Sequence, residues 1–81
     1  MAIDKTVYDA VKSGRSDNNI KFSDFQKLLT DLGFEFQRQE GSHRIYHHPG
    51  IMENMNIQPV RNMAKGYQVR QLRGFIKDYN L

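Results

Sequence analysis

Cysteine is absent from the 81 residues, which removes disulfides, thiolate metal sites and cysteine nucleophiles together. A reducing, cytoplasmic home is compatible with that lack. Also missing is any apolar run near the roughly 18 residues that a membrane-spanning helix needs. Met1-Ala2-Ile3-Asp4 does not begin the basic-then-apolar pattern of a secretory signal. No repeat or low-complexity tract breaks the chain. Acids are scarce in its second half: from Arg38 onward only Glu40, Glu53 and Asp78 stand against seven basic residues. Within a formal charge of +3 and a pI near 9.4, that imbalance makes the second half the part suited to an anionic partner.

What is present suits one small globular domain, with 38% apolar and 11% aromatic residues. A chain this short buries only about 60% of its unfolded surface, so its core is thin. Ile3, Val7, Tyr8 and Val11 share one face of a short first helix, and Gly14 is placed to stop it. Residues 1–19 therefore read as a helix and polar loop appended to a domain at 20–81, since neither side of that loop builds a core alone. The strongest helix signal spans 23–32. There Ser23 and Gln26 form a capping box, Phe25, Leu28, Leu29 and Leu32 make the apolar stripe, and Gly33 ends the helix.

Beyond Gly33 the period shortens to two. Phe34, Phe36 and Arg38 alternate with Glu35, Gln37 and Gln39, predicting a strand with an apolar face and a hairpin turn at 39–41. A return strand follows at 42–48, then a Pro49-Gly50 turn and a third strand at 54–58 with Met55 and Ile57 inward. From about Lys65 the helical period resumes. Tyr67, Val69, Leu72, Ile76 and Tyr79 line one flank and Arg70, Arg73 and Lys77 another. Such segregated elements predict an α+β fold, a three-stranded antiparallel sheet with helices packed on one face.

Residues 41–50 crowd three imidazoles and a hydroxyl into one strand between two turns. Gly41, lacking a Cβ, lets the backbone turn tightly and a substrate come close, so His43 sits beside an opening. A metal site fits poorly. On a strand His47 and His48 point to opposite faces, and His43 lies about 13 Å from His47, too far for one ion with bonds near about 2 Å. A serine triad fits no better, because Ser42 and His43 face opposite ways and no local acid stands as third member. A single histidine acting on RNA survives. Cleavage by the 2′-hydroxyl needs only a proton acceptor, a proton donor and cations for the phosphoryl charge. His43 suits the proton transfers, with Lys65, Arg61 and Arg70 as phosphate clamps. Lys65 adds its charge to the positive end of the last helix. Against this stand plainer readings: a surface histidine, and a solvated basic flank on the last helix. The exposed strand face, taken to carry Arg44 and Tyr46, suits a partner protein or sugar-phosphate contacts equally.

The run Leu28-Leu29, Leu32-Gly33-Phe34, then Gly41-Ser42-His43-Arg44-Ile45-Tyr46, Asn56-Ile57-Gln58-Pro59 and Ala64-Lys65-Gly66-Tyr67-Gln68-Val69-Arg70-Gln71-Leu72-Arg73 resembles the HicA family of small toxins. The likeness covers about residues 20–81, and residues 3–19 look like the leading helix of a longer subgroup. The resemblance implies a double-stranded-RNA-binding-domain-like fold and an mRNA interferase that works without the ribosome. It makes His43 of the Gly-Ser-His motif catalytic, with Gly41 and Ser42 shaping the approach. It also implies neutralisation by a HicB-like antitoxin. Many members carry a second histidine after the proline that ends the third strand. This sequence reads Pro59-Val60-Arg61-Asn62 instead, leaving Arg61 or Lys65 to stabilise charge.

Together these readings predict a toxin that cleaves RNA by metal-independent acid-base catalysis, with no cofactor and no membrane partner. Arg44, Arg61, Lys65, Arg70 and Arg73 are the RNA-binding candidates. The competing reading is a non-catalytic RNA-binding module, or an inactive toxin homologue that only binds its antitoxin. In a reader of double-stranded RNA, His43 would be dispensable.

Overall fold

The structure, a computed structural model, describes residues 5–81; Ile3, assigned to the first helix, lies outside the described residues. Eight elements follow in order: α1 (Lys5–Ser13), α2 (Phe22–Asp31), β1 (Glu35–Glu40), β2 (His43–His48), β3 (Ile51–Ile57), β4 (Pro59–Val60), β5 (Met63–Ala64) and α3 (Gly66–Tyr79). β1, β2 and β3 form an antiparallel meander in that order, as the alternation predicts. Tyr46, Met55 and Ile57 face the helices and join Phe25, Leu28, Leu29, Val69 and Leu72 in one core. No helix among the described residues is long and apolar enough to cross a membrane.

The α2 stripe is buried as its period requires, but the helix begins one residue before Ser23. Its N-cap is Lys21, with no side-chain cap. The first helical amide, that of Phe22, instead donates to the Asn62 carbonyl at 2.8 Å, and the Ala64 amide donates to Ile20 at 2.8 Å. Residues 20–22 thus run against β5, with a Lys21–Met63 bridge, and this long-range pairing replaces the capping box. At the other end Gly33 adopts φ +99°, and the Phe34 amide reaches back to the Leu29 carbonyl at 2.9 Å. That is the glycine-terminated helix ending expected there.

Two further expectations of packing need correction. β1 has no buried face: Phe34 is buried just before the strand, Phe36 is exposed, and a bulge falls between Phe36 and Arg38. The buried flank of α3 is Gln68, Val69, Leu72, Phe75 and Ile76, whereas Tyr67 and Tyr79 are exposed. The small β4–β5 hairpin goes unforeseen because its turn residues, Arg61 and Asn62, take positive φ without glycine.

α1 packs against α2 and α3 with Val11 fully buried. Arg73 holds the following loop, donating to both Asp17 oxygens at 2.9 and 3.0 Å and to the Val11 carbonyl at 3.0 Å. Tyr8 Oη donates to the Leu81 carbonyl at 2.8 Å.

Candidate active site at the head of the middle strand

The hairpin joining β1 to β2 is a two-residue turn, Gly41-Ser42, with Gly41 at φ +61°. A Cβ at Gly41 would meet nothing within 4 Å, so glycine serves the backbone angle there and the surroundings are open. The turn sets His43 opposite Glu40 as the first residue of β2. Alternation then places His43, Ile45 and His47 on the face away from the helices. Arg44 and Tyr46, expected on the exposed face, turn inward. The Arg44 guanidinium lies 5.1 Å from the Phe22 ring centre, and buried Tyr46 Oη accepts from Gln26 Nε2 at 3.3 Å.

β3 supplies partners for the two outward imidazoles. Met55 and Ile57 face the core, so Asn54 and Asn56 face out beside β2. His43 Nδ1 lies 2.8 Å from Asn56 Oδ1, and His47 Nδ1 lies 3.2 Å from Asn54 Oδ1. An amide oxygen only accepts, so Nδ1 carries the proton in each pair, and in the neutral ring Nε2 is then the nitrogen with the lone pair. Ile45 lies between the two rings, 6% exposed yet outside the helix-side core. His48 differs. Its Nε2 donates to the Leu32 carbonyl at 3.1 Å, its Nδ1 accepts from the Gly50 amide at 3.0 Å, and its ring meets Phe34 edge-on. Both nitrogens of His48 are thereby used in holding the chain.

A second chain of contacts ties this end of the sheet to α3. Lys65 Nζ donates to Gln58 Oε1 at 3.1 Å, and Gln58 Nε2 donates to Ser42 Oγ at 2.8 Å. Gln68, fully buried in α3, accepts from the Gln58 amide at 3.3 Å and donates to the Asn56 carbonyl at 3.2 Å. One side-chain amide thus grips the chain on both sides of Ile57, the last residue of β3. Lys65 is the N-cap residue of α3 and lies near the Tyr67 ring. Arg61, exposed in the β4–β5 turn, lines a cleft of about 450 Å³ with Asn18, Lys65 and Tyr67.

The sequence candidates therefore divide. Gly41, Ser42, His43 and Lys65 are brought together, the last through Gln58. Arg61 borders the same α3 terminus, and Arg70 is exposed one turn further on. Arg73 faces the α1 side, engaged by Asp17. Hydrogen bonds from Arg73 hold the Asp17 carboxyl below the usual range against the opposing effect of burial, with attraction to Arg73 and Arg70 adding to them. The same hydrogen bonds raise Arg73 itself. Arg38 and Glu40, on β1, form an exposed ion pair. Asn56, Gln58 and Gln68 carry no role in the sequence reading. Their signal was the alternation Asn54-Met55-Asn56-Ile57-Gln58 read against β2, and the placing of Gln68 beside Val69 on the apolar period.

Setting aside α1 and the small hairpin, the order α2-β1-β2-β3-α3 is that of the double-stranded-RNA-binding-domain-like α+β proteins, here with a histidine-bearing outer face. A profile described as the HicA toxin of bacterial toxin-antitoxin matches residues 22–81. The chain belongs to the HicA family, the toxins of toxin–antitoxin pairs, and α1 precedes the matched region. Neither the curated proteins nor the solved structures compared with it give a match.

Proposed function

We propose that the protein is a metal-independent endoribonuclease, an mRNA interferase, that acts through His43 and is neutralised by a HicB-like antitoxin. The observation that carries this reading is the state of His43: exposed at the head of β2, anchored by Nδ1, with Nε2 bare among the described residues and Lys65 tied to the adjacent turn. Neutral Nε2 accepts the proton of a ribose 2′-hydroxyl as its oxygen attacks the adjacent phosphorus. The bond to the 5′-oxygen breaks, leaving a cyclic phosphate and a departing 5′-oxygen that becomes the hydroxyl by taking up a proton. The imidazolium can deliver it. Lys65 supplies positive charge where the phosphoryl oxygens gain negative charge, with Arg61 and Arg70 on the flanking backbone. Gly41 and Ser42 leave that approach open.

The test is incubation of purified protein with RNA in EDTA. The parent protein should cleave, and His43→Ala should lose cleavage and growth arrest while keeping its fold and its antitoxin binding. A His43→Ala variant that still cleaves would refute the assignment. RNA retained but uncut by the parent protein would instead mark a binding module.

A further inference from the structure

We infer that Asn56 is a positioning residue for His43, its amide oxygen holding the imidazole in the tautomer that presents a bare Nε2 to the ribose hydroxyl. The inference rests on the ribonuclease reading just given. An exposed histidine at the start of a strand has free rotation about two side-chain bonds and two neutral tautomers, only one of which leaves Nε2 able to take a proton. The 2.8 Å contact from Nδ1 to Asn56 Oδ1 selects both the ring orientation and the tautomer. Asn56 is itself held. Its carbonyl accepts from buried Gln68, which also binds the Gln58 amide two residues on, so this length of β3 is fixed to α3. The acceptor is therefore delivered by a rigid element, as a catalytic orientation requires. Glu40, the register partner of His43 on β1, with Arg38 as its ion-pair partner on the same strand, and Lys65, reached through Gln58 from α3, are the charged groups that neighbouring elements bring to this end.

Asn56→Ala removes the acceptor from an exposed side chain, so the fold is retained. The expected result is a fall of about tenfold or more in kcat with little change in KM. Asn56→Asp keeps the acceptor and should preserve cleavage. Its carboxylate stabilises the imidazolium, so its pH–rate profile should move to higher pH. The tautomer is read separately from the nitrogen chemical shifts of the His43 ring in the RNA-free protein. The parent and Asn56→Asp should show a protonated Nδ1, and Asn56→Ala a mixture. Asn54→Ala, which strips the same contact from His47, should leave the His43 signals unchanged.

If Asn56→Ala keeps the parent rate and the parent shifts while His43→Ala is inactive, the positioning role is wrong and the ribonuclease stands. An unprotonated Nδ1 in the parent protein overturns the role as well. If His43→Ala cleaves normally, the ribonuclease reading fails first.

Discussion

Arg73 and Arg70, three positions apart on α3, meet different surroundings, and their consequences differ accordingly. Arg73 makes a two-pronged contact with Asp17, whose side chain is only 13% exposed, so Asp17→Asn should cost about 1–2 kcal/mol of stability. At about 4–8 °C per kcal/mol for a domain this size, thermal unfolding resolves that difference. The carboxyl is held below its usual range in the folded protein, so its contribution is present at neutral pH and disappears on acidification. The gap between parent and Asp17→Asn should therefore be constant above about pH 5 and close as the pH drops below about 4. The three-and-four spacing that made Arg73 an RNA-binding candidate reports only that cations share a helix flank. Which of them meets an acid depends on a loop 56 residues away in sequence.

At the scale of elements, the same division separates the residues proposed to bind RNA from those that hold the fold. Removing the charge of Lys65 or Arg70 should weaken RNA binding and lower the slope of log affinity against log salt by about 0.7–0.9 for each phosphate no longer neutralised. An unchanged slope would leave that flank merely solvated. Local patterns served where local forces decide structure. The Phe25, Leu28, Leu29, Leu32 stripe, the Gly33 stop and the three-strand meander all follow from period and turn residues. They failed where distant partners intervene. The start of α2 is satisfied by Asn62 rather than by Ser23, and β4–β5 turns on two residues that carry no glycine signal. His43 was legible as the candidate because Gly-Ser-His opens a strand. Asn56 was not, since its role needs the register between β2 and β3, which one strand's alternation does not contain.

For the whole molecule, the buried Val11 matters, because α1 precedes the family match yet contributes to the common core. Val11→Ala should lower stability by about 1–3 kcal/mol in a single cooperative transition seen equally by far-ultraviolet and tyrosine signals. A first phase involving α1 alone would mean that the helix is only docked. The amide of Gln68 joins sheet to helix by hydrogen bonds instead. The Gln58 backbone N–H lies outside the β3 ladder but donates into that buried side chain. In heavy water it should keep its proton as long as the middle of α3 does, rather than exchanging like the turns on either side. A residue between strands would then keep time with the helix that clasps it.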